Sequence, residues 1–191
     1  MEEDHSLVAL AQGGDTEAFA QLYDRHVDAI YRYVTLRVPT QEQAEDITED
    51  VFLRAWQNLS KFRPERPILH WLYRIAHNRV VDEHRRKAQQ NASLDAMNEA
   101  GQQIASPQPD PLHTAISHEE IGYLRSALAT MSDDEQALLT LRFTENLAFK
   151  DIAGILGKSE GACRVLQHRA LKKLAQELRP QALRQSPEYS T

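Results

Sequence analysis

Trp71, Arg74, Asn78, Arg79, Arg85 and Arg86 fall in one basic run, KFRPERPILHWLYRIAHNRVVDEHRRK, from Lys61 to Lys87. That mixture of aromatic, amide and guanidinium groups suits nucleic acid. Leu72, Ile75, Ala76 and Val80 keep the three-and-four spacing of a buried stripe. The run therefore predicts one helix with a dry side and a basic, partly aromatic wet side. Pro67 suits its first turn, where a missing N–H costs little. From this stretch alone, a nucleic-acid reader and a solvated amphipathic helix both remain open.

A second set lies in FKDIAGILGKSEGA, Phe149 to Ala162, which has the pattern of a helix–turn–helix. A short helix buries Ile152, Ala153 and Leu156, Gly157 makes the turn, and Ser159 caps a basic second helix. The small Ala153 allows a close crossing, and the second helix offers its N-terminal half to a major groove. Arg164, His168, Arg169 and Lys172 project from its neighbouring faces. The competing reading is an ordinary helical hairpin.

Other groups carry less. Asp46, Glu49 and Asp50 share a helix face and could gather a hard cation, but such a cluster more often serves solvation or a basic protein partner. His70, His77 and His84 recur every seven residues, about 10 Å apart along a helix, too far to share a metal. His113 and His118 lack a third ligand. The lone Cys163 reads as a small buried residue. A Gly-rich phosphate loop and a nucleophile elbow are both absent, so neither an enzyme nor a metal or cofactor site is expected.

These groups need helices to position them. The 191 residues, 41% of them hydrophobic, suffice for one medium domain or two small ones, and strand-like alternation is nearly missing. Asp15 caps a helix carrying Ala18, Phe19, Leu22, Tyr23, His26, Ile30 and Tyr33, which ends before Pro39. Thr40 to Gln43 is a capping box opening a helix with Ala44, Ile47, Val51, Ala55 and Leu59 on one stripe, Phe52 and Trp56 beside it. The stretch from Ala88 to Leu112 has three prolines and neither Lys nor Arg, and reads as a flexible linker. Capping boxes return at Ser117 and Ser132, the second opening a helix with Ala137, Leu138, Leu141 and Phe143. The last helix runs from about Glu160 to Leu178, ended by Pro180. The expected fold is all-α: a first domain over 1–90, a linker over 91–114, a second domain over 115–179 and a polar tail over 180–191. A net charge of −6 argues against non-specific coating of nucleic acid, but separate basic and acidic faces suggest more than one kind of partner. The acidic start lacks a signal-peptide pattern and no apolar run approaches a membrane span, so a cytoplasmic protein without membrane insertion is expected.

Together these features resemble a bacterial extracytoplasmic-function (ECF) sigma factor, the minimal two-domain class of RNA polymerase sigma subunits. The motifs Asp15-x-x-Ala18-Phe19-x-x-Leu22-Tyr23, Ala44 to Trp56 (AEDITEDVFLRAW), Trp71 to Asn78 (WLYRIAHN) and Gly161 to Leu171 carry the likeness. The resemblance implies that Asp46, Glu49, Asp50, Phe52 and Trp56 bind the clamp of the largest subunit of core RNA polymerase, with the flap of the second largest as a further contact. It implies minus-ten DNA contacts at Phe62, Arg63, Trp71, Arg74, Asn78, Arg79, Arg85 and Arg86. In that set Phe62 lines a pocket for a flipped base, Asn78 meets a base edge, and the arginines hold phosphates. Trp71 stands either at the duplex fork or in the core. Minus-thirty-five contacts are implied at Ser159, Arg164, Val165, His168, Arg169 and Lys172. Promoter DNA and an anti-sigma factor are the other implied partners. The chain departs from the family pattern at Pro64, Pro67 and Ile68 in the base-pocket loop, at Glu49 where Gln is usual, and at Val165 and Leu166 where polar residues are usual.

Overall fold

The computed structural model describes residues 2–95 and 126–182, and among them every regular element is helical. The chain divides into two compact units, Met1–Leu112 and His113–Thr191. Residues 96–114 of the expected linker, the capping box at Ser117, and His118 lie outside the described residues, whereas residues 91–95 are helical.

In the first unit α1 spans Glu2–Gln12, an element that the sequence reading passed over. It turns Val8 and Ala11 inward and stops at Gly13-Gly14. Gly14 has φ of +94°, open to glycine at little cost. Asp15 then caps α2 (Thr16–Thr35), its carboxylate accepting from the Glu17 and Ala18 amides at 3.0 and 3.1 Å. Ala18, Leu22, His26, Ile30, Tyr33 and Val34 form the buried stripe, whereas Tyr23, expected on it, is exposed. Helix α3 (Gln41–Asn58) has half of the expected capping box: Thr40 Oγ1 accepts from the Gln43 amide at 3.3 Å, but Gln43 Oε1 makes no return bond. A 3₁₀ turn, Leu59–Lys61, leads to Phe62 and the two-proline loop. Pro67 stands just before α4 (Ile68–Asp95), its carbonyl accepting from the His70 amide at 3.1 Å.

Helix α4 carries Ile68, Leu72, Tyr73, Ala76, His77 and Val80 into the core against α2 and α3. Fully burying a large apolar side chain contributes roughly 1.5–3 kcal/mol, and this stripe is the helix's chief stabiliser. Its 28 residues run past the domain end expected at 90. The buried Arg37 guanidinium stacks over Tyr33 and approaches His77 Nδ1 at 3.3 Å, while His84 Nε2 donates to the Arg37 carbonyl at 2.9 Å. His77 and His84 therefore tie α4 to the end of α2.

In the second unit residues 126–129 are helical, with Ala127, Leu128 and Met131 buried. Ser132 opens α5 (Asp133–Leu139) with a complete capping box. The helix then widens into a π turn, Thr140–Thr144, so Leu141 is buried but Phe143, expected beside it, is 62% exposed. The wider turn changes the angle between successive residues, and that carries Phe143 off the core face. Helix α6 (Phe149–Leu156) ends at Gly157, whose φ of +65° is left-handed and lets the Lys158 amide reach the Ala153 carbonyl at 2.9 Å. Helix α7 spans Glu160–Ala182, capped by Ser159 Oγ, which accepts from the Ala162 amide at 3.1 Å. It passes Pro180 instead of ending before it. A proline φ is itself helical, so the ring can be carried within the helix at the cost of one N–H bond.

Candidate nucleic-acid interfaces

Between the end of α3 and the first half of α4 lies an open cavity of about 340 Å³. Arg54, Asn58 and Lys61 line one side, and Trp71, Asn78 and Arg79 the other. Arg74 and Asn78 are exposed because they occupy the face of α4 opposite Leu72, Ala76 and Val80. Trp71 is half-buried, its ring 5.1 Å from that of Phe62. Phe62 itself is only 7% exposed. Phe62 is thus largely covered, with the Trp71 ring against it, and does not line this cavity. The indole that Phe62 supports remains accessible from the cavity.

Charge across this cleft is partly neutralised within the chain. The Asp50 carboxylate accepts from Arg54 Nε at 2.9 Å and from Arg79 Nε, linking α3 to α4. Asp50, expected to face a protein partner, thus turns toward a residue expected to hold a phosphate. Further along α4, Arg86 pairs with Glu83 at 2.9 Å. That hydrogen bond outweighs partial burial and holds the Glu83 carboxyl below its ordinary range. Arg63 and Arg85 are exposed.

On the outer side of α3, Asp46 and Glu49 are exposed. Next to them an apolar cleft of about 270 Å³ is formed by Thr16, Phe19, Phe52, Leu53 and Trp56. Phe52 is 4% exposed and packs edge-on against Tyr23 at 4.7 Å, while Trp56 contacts Phe19 at 4.9 Å. Phe52 is therefore a core residue beneath the cleft. Leu53, which the sequence reading left aside, is 55% exposed beside it. Its signal was its place one residue beyond the buried Phe52, on the outward side of α3.

In the second unit, Cys163 and Ala170 are buried and anchor α7 on α5 and α6. Burial pushes the Cys163 thiol up, as befits a packing residue. The opposite face presents Arg164, Val165, His168, Arg169 and Lys172, all exposed, with Val165 at 59%. Ser159 is exposed too, but its hydroxyl serves the cap. Two ion pairs brace the arrangement from α5: Lys158 to Asp134 and Lys173 to Glu135, each at 2.7 Å. Arg142, also missed from the sequence, stacks over Phe149 and donates to the Leu147 carbonyl at 2.8 Å.

Among the described residues no group of three or more His, Cys, Asp or Glu could hold a metal ion, and no helix is long and apolar enough to cross a membrane. Chemically, one surface can stack and hydrogen-bond a base beside cations, and another can enter a groove with a row of donors.

Comparison with known proteins matches residues 22–90 to sigma-70 region 2 and residues 121–174 to sigma-70 region 4. The chain is 34% identical over 174 residues to the ECF RNA polymerase sigma factor BldN of Streptomyces coelicolor, covering 90% of this chain and 64% of BldN. It is 30% identical over 173 residues to the ECF RNA polymerase sigma factor SigW of Bacillus subtilis, covering 87% and 91%. Among solved structures, CnrH in complex with the cytosolic domain of CnrY is similar with a TM-score of 0.70 at 25% identity, covering 93% of this chain and 98% of that one. RpoE of Bartonella quintana, solved with the anti-sigma factor NepR, shares the fold with a TM-score of 0.68 at 20% identity, covering 84% and 96%.

Proposed function

This chain belongs to the sigma-70 family of RNA polymerase sigma factors, in its extracytoplasmic-function group, and from that premise we propose a division of labour between its two units. The chain directs promoter-specific initiation by core RNA polymerase. The first unit holds the polymerase clamp through Asp46, Glu49, Leu53 and Trp56, with Phe52 supporting that surface from beneath. Asp50 contributes by closing the α3–α4 ion pair rather than by facing the clamp. The cleft between α3 and α4 receives unpaired bases of the minus-ten element. There Trp71 stacks, Asn78 meets a base edge, and Arg74, with Arg63 and Arg85, holds the backbone. Arg79 and Arg86 keep their ion pairs until phosphates displace the carboxylates.

The second unit reads the minus-thirty-five duplex with Arg164, Val165, His168 and Arg169 in the major groove and Lys172 on a phosphate. Ser159 acts through its cap, which fixes where α7 begins. The division into 1–90, 91–114, 115–179 and 180–191 follows these roles, with the polymerase flap as the second unit's protein contact. The chain works in the cytoplasm, where polymerase and chromosome are, and has no catalysis of its own. An inhibitory protein partner occupies it between uses, a reading supported by the complex of CnrH with CnrY.

The observation that carries this reading is the presence on one chain of both surfaces, a basic aromatic cleft and an exposed row of donors on a helix–turn–helix. Transcription of genomic fragments by core polymerase, with and without the chain, tests it through mapping of transcript starts. Chain-dependent starts sharing two spaced elements are expected, and a set unchanged by the chain would overturn it.

A further inference from the structure

Phe149 begins α6 half-buried, and two guanidinium groups converge on its ring. The Arg164 Cζ stands 5.1 Å from the ring centroid and the Arg142 Cζ 5.2 Å. Arg142 is tied down separately by its bond to the Leu147 carbonyl. Arg164 comes from the other helix of the pair, and its Nη2 also reaches back one turn to Glu160 Oε2 at 3.3 Å. Like charges repel, and the electron-rich face of an aromatic ring is what offsets that repulsion. The guanidinium of Arg164 thus lies over the Phe149 ring and donates from Nη2 to Glu160. A planar group held at two points keeps further N–H donors in a fixed fork, the shape that fits a guanine edge. An exposed arginine without such support would have to give up its rotamer freedom on reaching the base.

We propose that Phe149 is a positioning residue for base recognition. Its ring orients the Arg164 guanidinium toward one base pair of the upstream promoter element, so preference at that pair depends on a side chain from the preceding helix. The inference rests on reading α7 as the duplex-reading helix.

The test is selection of bound duplexes from a randomised library by core polymerase carrying the full chain, followed by sequencing. Arg164→Ala should flatten preference at one base pair of the upstream element. Phe149→Leu should weaken preference at that same pair about two- to fivefold, which corresponds to the roughly 0.5–1 kcal/mol of an exposed cation–π contact. It should leave preferences at other positions intact. Phe149→Tyr keeps the ring and should retain wild-type preference. Arg164→Lys, which keeps Phe149 and the positive charge but removes the planar group, should reproduce the loss at the same pair. A Phe149→Leu protein with full preference where Arg164→Ala has lost it overturns the proposal, as does even weakening at every position. Should Arg164→Ala leave every position unchanged, the assignment of α7 fails first and the inference with it.

Discussion

Replacing Glu135 by Gln removes a charge while keeping the side chain's shape, and the surroundings allow the consequence to be worked out. Glu135 is 4% exposed, and its carboxylate accepts from Lys173 Nζ at 2.7 Å, the Ser132 amide at 3.0 Å and the Ser132 hydroxyl at 3.1 Å. Burial by itself would raise the Glu135 pKa, but the bonds from Lys173 and from the Ser132 amide and hydroxyl outweigh it, and the carboxyl lies below its ordinary range. A hydrogen bond to a charged acceptor is about twice as strong as a neutral one. An amide at this position keeps the shape of the cap but halves its bonds. The Lys173 end is half-exposed, so its ion pair contributes no more than about 1 kcal/mol. Glu135→Gln should therefore cost roughly 1–2 kcal/mol at pH 7.

The sign with pH follows from the direction of the shift. A carboxyl whose pKa is lowered by folding contributes stability that is fully present above its unfolded value near 4.5. That contribution is lost as pH falls through the lower folded value. Urea titration of the full chain, followed through the amide signals of Cys163 and Ala170 on α7, reads the second unit directly. The gap between wild type and Glu135→Gln should be largest at neutral pH. It should close only as pH falls through the folded value, which lies below 4.5, because both side chains are then neutral and nearly the same shape. A gap that does not narrow at any pH below 4.5, or no gap at pH 7, would refute the reasoning.

Asn78→Ala should impair promoter opening about tenfold while leaving closed-duplex binding unchanged, since Asn78 is exposed and lines the cleft. Permanganate reactivity against duplex binding checks this, and equal loss in both would remove Asn78 from base capture. Gly157→Ala should destabilise the second unit by about 1–2 kcal/mol through backbone strain alone, because φ is +65° and no atom lies within 4 Å of an added Cβ. A melting curve unchanged by that substitution would be the contrary result. Cys163 should react with a thiol reagent at least tenfold more slowly in the native chain than in urea, being fully buried with its thiol pushed up. Comparable rates under the two conditions would place the thiol at the surface.

Local chemistry explains which elements were readable in advance. Asp15, Thr40, Ser132 and Ser159 cap helices by bonding amides two or three residues on, and Gly157 ends one by taking a left-handed φ. Such events depend on a few consecutive residues, so their residue types announce them. Helix α1 escaped notice because its apolar stripe amounts to little more than Val8 and Ala11 in an acidic segment. Its partner surface on α2 does the rest. The π turn at Thr140–Thr144 was equally silent, because Phe143 keeps helical spacing with Leu139 while the wider turn takes it off the core face.

By itself the amino-acid order determined that the chain is helical, where most helices begin and end, and which faces of α4 and α7 are wet and basic. Periodicity and capping act over one or two turns, and a single segment contains that information. Tertiary structure alone decided which aromatic and charged groups remain available. Phe52 and Phe62 are covered by Tyr23 and Trp71, and Asp50 pairs with Arg79 across 29 residues. Arg164 rests on a ring from the neighbouring helix. An aromatic or an arginine can serve a core, an ion pair or a ligand with the same local sequence, and only the groups that folding brings against it choose among them.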